Sequence, residues 1–362
     1  MHIYKLVLEN FRNYERKEMV FGPAFKDGGM TIVVGPNGAG KTNIVEAIEM
    51  LGSTQSFRVS QKEHMILEGA GYFRISAVMV DDNGEECTAS VFYQRSPSRQ
   101  VFEWSDVKLS AGAFFGRLPT VLFLPEHLSL VSSAPKERRH FLDMVLSRMS
   151  RKYLETLIRY NKALSARNHL LVTAQEKNVD RREFSYWDDE LISQGSELIR
   201  EREHGLEQIN EYFTKAYEAI SGESGEGFSI QYLSTVPDVD SYRNVFLNSR
   251  DRDLRRAQTH VGPHRDDMVF LIGDSKCVNV CSRGEQRTLI LSLKLAETIL
   301  LAERRNESPI LLLDDVFSEL DADHRYGLLE NISRYQTIVT TVEPYYFKEF
   351  SGEHKVEDIA KI

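Results

Sequence analysis

The sequence predicts an α/β protein organised around a phosphate-binding loop, and three observations carry that prediction. An apolar strand, Thr31 to Val34, runs into Gly35-Pro36-Asn37-Gly38-Ala39-Gly40-Lys41-Thr42, which matches G-x-x-x-x-G-K-[ST] at every fixed position, and an amphipathic helix from Asn43 to Leu51 follows. A second apolar strand, Ile310 to Leu313, ends in the acids Asp314 and Asp315. Strands and helices alternate from Met268 onward, whereas Lys136 to Ile220 is rich in Leu, Glu, Arg and Lys with no proline after Pro135.

In chain order, Ile3 to Leu8 alternates apolar and polar side chains, as a half-buried strand does. Met30 to Val34 is continuously apolar and reads as a buried strand. Phe73 to Val80 and Cys87 to Gln94 flank the turn Asp82-Asn83-Gly84, a hairpin signal, and Pro119 to Leu124 is a strand bounded by prolines. In the helical middle, Trp187, Leu191, Leu198, Leu206, Ile209, Phe213, Ala216 and Ile220 mark one face of a helix from Ser185 to Ile220. That helix would be about 50 Å long, and we read it as part of a packing lobe rather than a protruding arm. Strand Phe228 to Leu233, a charged helix over Val239 to Ala257, strand Met268 to Ile272 and helix Gly284 to Arg305 come next. A helix near Asp323 to Ser333 and strand Thr337 to Thr341 complete the pattern. The expected organisation is a head of residues 1–125 plus 260–362, with 126–259 inserted as a helical lobe.

Composition bounds the function. A chain of 362 residues suggests two domains at about 150 residues each. Apolar residues at 41% and charged residues at 27% suit a globular protein and exclude disorder or a disulfide miniprotein. The net charge of −9 excludes a uniform polycation, so any nucleic-acid contact must use a local basic face. Cys87, Cys277 and Cys281 are too few for a disulfide framework, and no second Cys/His pair gives Cys277 and Cys281 zinc-site spacing. A reducing cytoplasm is the expected compartment. No signal-peptide pattern opens the chain and no apolar run approaches about 20 residues, so neither secretion nor membrane spanning is expected.

The phosphate loop carries the chemistry. Its glycines let backbone N–H groups wrap a phosphate closely, Lys41 would neutralise the β- and γ-phosphates, and the Thr42 hydroxyl would hold Mg²⁺. The strand ending in Asp314 is expected beside the loop's strand, delivering that carboxylate to the metal. Asp315 would orient or deprotonate the attacking water. A third element, Ser282-Arg283-Gly284-Glu285-Gln286, opens a helix apolar on nearly every face, and such a helix must be buried. Its N-terminus is an anion site by construction, and Ser282 with Glu285 also makes a capping box; the two readings are compatible.

GPNGAGKTN, SRGEQR and ILLLDD followed by Ser318-Glu319-Leu320-Asp321, in that order, resemble an ABC-type ATPase head. Within that class the chain resembles the RecF family of bacterial DNA-repair ATPases related to SMC heads. Leu8 to Tyr14, Leu124 to Leu128, Pro135 to Asp143 and Thr259 to Asp267 extend the resemblance from end to end. It implies an ABC/SMC-type P-loop head with an inserted helical lobe, using ATP and Mg²⁺, with Asn43 counted in the nucleotide loop. It also implies a homodimer in which Ser282 and its neighbours contact the other subunit's ATP, with Asp321 at the seam.

The sequence departs from the broader ABC pattern. Asp315 stands where a glutamate is common, Thr340 and Thr341 stand where a histidine is common, and the glutamine loop could fall at Gln55 or Gln61. Slow ATP turnover is therefore expected, well below about 10 s⁻¹, so that hydrolysis acts as a switch. An SMC-like structural head and a transport-coupled ATPase remain the alternatives.

Two basic runs stand out. Six Lys/Arg face two acids between Pro135 and Lys152, and six Arg face three acids between Arg243 and Asp266. Either run alone could be a solvated helix face. The resemblance makes Lys136, Arg138, Arg139, Arg148, Arg151, Lys152, Arg255 and Arg256 candidates for DNA. Without interleaved aromatics, contacts would be phosphate-directed and sequence-tolerant. The implied role is DNA repair, recombination and replication-fork maintenance in the nucleoid, on duplexes and single-strand/duplex junctions, with RecO- and RecR-like partners and recombinase loading at gaps. His260 and His264 lack helical metal spacing because Gly262-Pro263 intervenes.

Overall fold

The computed structural model describes residues 1–21, 28–176, 179–347 and 354–359. The chain begins with β1 (His2–Phe11), β2 (Tyr14–Val20), β3 (Gly29–Val34), α1 (Lys41–Ser53), β4 (Tyr72–Val80), β5 (Glu86–Gln94), β6 (Arg99–Trp104), β7 (Val107–Leu109), α2 (Ala111–Phe114) and β8 (Thr120–Phe123). The middle holds α3 (Pro135–Met149), α4 (Arg151–Thr173), α5 (Arg181–Ser221), β9 (Phe228–Leu233), α6 (Tyr242–Asn248) and α7 (Arg250–Arg256). The remainder is β10 (Asp267–Ile272), β11 (Ser275–Lys276), α8 (Cys277–Val280), α9 (Arg283–Arg305), β12 (Ile310–Asp314), α10 (Ala322–Ile332), β13 (Gln336–Thr341) and β14 (His354–Asp358).

Two compact units result. One is Met1–Ser129, Lys215–Ser224 and Arg287–Ile362; the other is Leu130–Thr214 and Gly225–Gln286. The first has an antiparallel sheet, β2-β1-β4-β5-β6-β7, and a parallel sheet, β14-β3-β13-β12-β8. Gln336 ties them together: its Oε1 accepts from Ile3 N at 2.7 Å and its Nε2 donates to Ile3 O at 2.8 Å. Helix α1 buries Ile44, Val45, Ala47, Ile48, Met50 and Leu51 completely, so the segment after the phosphate loop is anchored in the core. The hairpin turn falls as the sequence predicts, with Asp81 Oδ1 accepting from Asn83 N and Glu85 N and Gly84 at φ +87°.

The second unit packs α3, α4 and the first part of α5 with a three-stranded sheet, β11-β10-β9. Leu191, Leu198, Leu206, Ile209 and Phe213 are buried along α5, as the spacing predicts. Arg167 and Arg202 are almost completely buried in the same unit. Arg167 donates to Asp188 (2.6 Å), Asp253 (2.8 Å) and Thr259 (2.8 Å). Arg202 donates to Asp143 (2.8 Å) and to the carbonyl of Pro263 (2.7 Å).

The structure differs from the sequence reading in several places, among them residues 126–129 and 215–224, expected in the inserted lobe, which cluster with the first unit. The charged helix over 239–257 is two short helices, interrupted at Ser249, whose hydroxyl donates to Phe246 O and Asp253 Oδ2. Residues 260–286, expected in the head, cluster with the helical unit because β10 pairs antiparallel with β9 from Asp267↔Leu233 to Ile272↔Phe228. Helix α9 is buried from Thr288 to Thr298, yet that stretch includes an ion pair, Lys294–Glu297 at 2.9 Å.

Candidate nucleotide site

The phosphate loop connects the end of β3 to the first residue of α1. Gly38 (φ +81°) and Gly40 (φ +105°) hold left-handed backbone, which L side chains rarely adopt. A Cβ at Gly40 would also lie 2.6 Å from the Tyr14 hydroxyl and 2.8 Å from the Asn13 amide. The β1–β2 turn thus lies against the loop, and Asn13 Nδ2 donates to Ala39 O at 3.2 Å. Burial pushes the Tyr14 hydroxyl up to about 12.

The predicted residues meet. Lys41 Nζ donates to Gly35 O (2.8 Å) and Pro36 O (3.1 Å), bracing the loop's own carbonyls. Thr42 Oγ1 donates to Asp314 Oδ1 at 3.0 Å. Burial raises the Asp314 carboxyl above the ordinary range, and the Thr340 and Thr42 hydroxyls pull it back. Burial also raises Asp315, which Lys41 opposes; for Lys41, desolvation lowers the ammonium and Asp315 and Asp314 raise it. Asp315 sits at φ +51°, and Asp is one of the few non-glycine residues that tolerates this region.

One expectation is corrected. Strand β12 does not lie beside β3: β13 stands between them, pairing Asp314↔Thr340 on one side and Thr341↔Val34 on the other. The intervening strand supplies a residue notable in the sequence only for not being histidine. Thr340 Oγ1 donates to Asp314 Oδ1 at 2.6 Å and accepts from Asp315 N at 3.0 Å. A hydroxyl near the end of a buried strand is its only signal.

A polar cluster beside the loop has no signature in the sequence. Glu46, fully buried on α1, accepts from Arg12 Nε and Nη2 and from the Ser56 hydroxyl. Arg58 Nη1 lies 3.6 Å from Glu46 and donates to Asn43 Oδ1 at 2.8 Å, and Asn43 Nδ2 donates to Asn13 Oδ1 at 2.7 Å. One carboxylate thus secures the β1–β2 turn and the 54–60 segment to the helix that carries Lys41 and Thr42. Gln55 and Gln61 are both exposed.

Ser282 to Gln286 belong to the second unit. Ser282 N donates to Glu285 Oε2 (2.7 Å) and Glu285 N to Ser282 Oγ (3.2 Å), a reciprocal capping box. Ser282, Arg283 and Gly284 are exposed, and Gln286 Nε2 donates to Cys281 O at 3.0 Å. Asp321 caps α10, its Oδ1 accepting from His324 N at 3.0 Å and lying 2.7 Å from His324 Nδ1. These bonds hold its carboxyl below the usual range.

The basic candidates differ in how committed they are. Arg138 makes a two-bond contact with Asp267 (2.9 and 2.7 Å), and Arg139 donates to Asp266 O at 2.6 Å. Arg148 is buried, Arg151 pairs with Glu155 at 2.9 Å, and Lys152 pairs with Glu197 and Glu201. Lys136, Arg255 and Arg256 are exposed, with no ion-pair partner among the described residues. His260 Nδ1 lies 2.9 Å from Asp253 and His264 Nδ1 2.7 Å from the Tyr160 hydroxyl, so each ring has its own partner.

Known proteins share this architecture. Residues 2–360 match the protein-family model described as RecF/RecN/SMC N terminal domain. The chain is 33% identical over 365 residues to the DNA replication and repair protein RecF of Chlorobium phaeobacteroides strain BS1, covering 98% of each. It is 37% identical over 352 residues to the protein of the same name from Bacillus pumilus strain SAFR-032, covering 94% of this chain and 93% of that one. A solved structure of the recombination mediator protein RecF-ATPrS in the RecFOR pathway superposes with a TM-score of 0.89 at 29% identity, covering 99% of this chain and 96% of that one. An SMC head bound to the C-winged helix domain of ScpA shares the fold, at a TM-score of 0.52 and 16% identity.

Proposed function

The chain belongs to the RecF family of DNA replication and repair proteins, and from that premise we propose that it is an ATP-driven clamp on DNA. The observation that carries the reading is the joint placement of Lys41, Thr42, Asp314 and Asp315: a phosphate-binding cation, a hydroxyl and carboxylate in contact, and a second acid whose charge the Lys41 ammonium favours. A relative solved in ATP-bound form supports ATP as the ligand.

The residues fit a magnesium nucleotide. The Thr42 hydroxyl and the buried Asp314 carboxylate are hard oxygen donors, and among the described residues no cation lies within ion-pair distance of Asp314 to offset its desolvation. Mg²⁺ held there would supply neutralisation of the developing phosphate charge. Lys41 exchanges the Gly35 and Pro36 carbonyls for phosphate oxygens. Asp315, next to Asp314 at the strand end, positions the attacking water and takes its proton. Slow turnover suits this role: hydrolysis resets a bound state.

Ser282, Arg283 and Gly284 form the surface a second copy would present to the phosphates, with Asp321 at the seam. ATP then bridges two copies and shifts association by mass action. The dimer binds duplexes and single-strand/duplex junctions through phosphate contacts, marks gap ends in the nucleoid, and works with RecO- and RecR-like proteins to load recombinase. The solved relative is described as a recombination mediator in the RecFOR pathway, which supports those partners. Thr340 and Thr341, standing where a histidine is common in the broader ABC pattern, do not favour the transport alternative.

Sedimentation velocity tests the bridging. ATP–Mg²⁺ should convert monomer to dimer, and Ser282→Arg should keep ATP binding while losing that conversion. A Ser282→Arg chain that still dimerises with ATP contradicts the reading.

A further inference from the structure

Apart from the nucleotide loop, the 54–62 segment, β6 and the start of α2 line an open cavity of about 480 Å³, within the range of small-molecule sites. Phe57, Met65 and Phe102 form its apolar wall, and Arg58, Lys62 and Gln100 its polar wall. No Asp or Glu lines it among the described residues.

The polar wall is short of acceptors. Lys62 Nζ donates to Gln100 Oε1, a neutral partner. Burial lowers the Lys62 ammonium, and no carboxylate among the described residues stands near enough to offset it. Because Gln100 Oε1 must accept from Lys62, the amide cannot be turned over, and its Nε2 is left buried without an acceptor among the described residues. Arg58 adds a third donor group, since the one carboxylate it pairs with among the described residues, Glu46, is shared with Arg12. An ammonium, an amide and a guanidinium around one space suit a ligand with several acceptor oxygens, as a phosphate has. The aromatic wall accepts a flat apolar group attached to it.

We propose that this cavity is a second anion site that takes a nucleotide unit, with the phosphate on Lys62, Gln100 and Arg58 and the base against Phe57 and Phe102. The unit is either a free nucleotide or one residue of a single strand. The same Arg58 guanidinium touches Asn43, the residue after Thr42, so an occupant competes for a contact of the first site. The inference stands apart from the clamp reading, because it concerns binding in a chain whose phosphate loop is disabled.

The test uses the full chain carrying Lys41→Ala, titrated by calorimetry with dAMP and with a short single-stranded oligothymidylate. Lys41→Ala/Lys62→Gln and Lys41→Ala/Gln100→Glu are titrated alongside. Gln100→Glu keeps the shape of the side chain and pairs Lys62 internally, so the fold survives while the anion is repelled. Binding of at least one probe, weakened about tenfold or more by both substitutions at unchanged melting temperature, is the expected result. Binding of dAMP assigns the site to free nucleotide; binding of the oligomer alone assigns it to a strand residue. Failure of both probes to bind, or binding indifferent to both substitutions, overturns the proposal. So does a comparable loss of ATP affinity when Lys62→Gln is placed in the chain that retains Lys41, because the cavity would then be part of the first site.

Discussion

Thr340 Oγ1 donates to Asp314 Oδ1 at 2.6 Å, the same oxygen that accepts from Thr42 Oγ1 at 3.0 Å. Two hydroxyls, one from the strand between β3 and β12 and one from the phosphate loop, thus favour the ionised form of a buried carboxylate. Thr340→Val keeps the shape and removes one donor. It should cost about 1–3 kcal/mol in urea denaturation and weaken Mg²⁺-dependent ATP binding more than metal-free binding. An equal effect on ATP titrations with and without Mg²⁺ would show that Thr340 does not tune Asp314 as a metal ligand.

Asp315 combines left-handed backbone with proximity to Lys41. Asn tolerates the same backbone, so Asp315→Asn should fold normally, bind ATP, and lose hydrolysis by about 10²-fold or more. Single-turnover kinetics check this. Asp315→Val should instead be destabilised, because a β-branched residue at positive φ is strained.

Glu46 is a structural keystone for the loop. Glu46→Ala leaves Arg12 without its two-bond partner and Arg58 without its ion pair, so a loss of about 3–5 kcal/mol is expected in thermal or urea melts. Nucleotide affinity should fall with it, since the β1–β2 turn lies against Gly40.

His264 gives the second unit a pH dependence. Its neutral ring accepts from Tyr160 at Nδ1 and donates from Nε2 to Thr259 O, and burial lowers it from 6.5 to about 4. Arg265 and Arg139 push the same way, while Asp266 and the Thr259 carbonyl oppose. Below pH 6.5 the unfolded chain takes up a proton that the native chain refuses. Stability is therefore full above that pH and falls towards pH 4, by about 3 kcal/mol in all. His264→Gln should flatten that window in urea titrations at stepped pH.

The basic runs divide by commitment. Alanine at Lys136, Arg255 and Arg256 should weaken DNA binding and reduce the salt slope by about 0.9 for each phosphate no longer neutralised. Alanine at Lys152, already paired with Glu197 and Glu201, should change the slope little.

Much of the fold and the phosphate site is legible in the sequence because both rest on local patterns. The loop's glycines, Lys41 and Thr42 are contiguous, and Asp314 ends an apolar run that only a buried strand explains. What escapes a sequence reading depends on groups distant in the chain. Arg12, Glu46 and Arg58 look like ordinary surface charges until the β1–β2 turn and the 54–60 segment meet α1. Periodicity cannot place strand β13 between β3 and β12, since parallel order is set by crossovers rather than composition. Residues 260–286 follow the helical unit through one strand pairing that no local pattern announces. The capping box at Ser282 is legible because its two partners are three residues apart.

The central claim is that ATP at Lys41 gates attachment to DNA. Fluorescence anisotropy on a single-strand/duplex junction tests it most directly, with ATP–Mg²⁺, with ADP, and with Lys41→Ala. The account predicts binding that requires ATP and Lys41 and weakens steeply with salt. Binding that is the same with ATP, with ADP and in Lys41→Ala would contradict it.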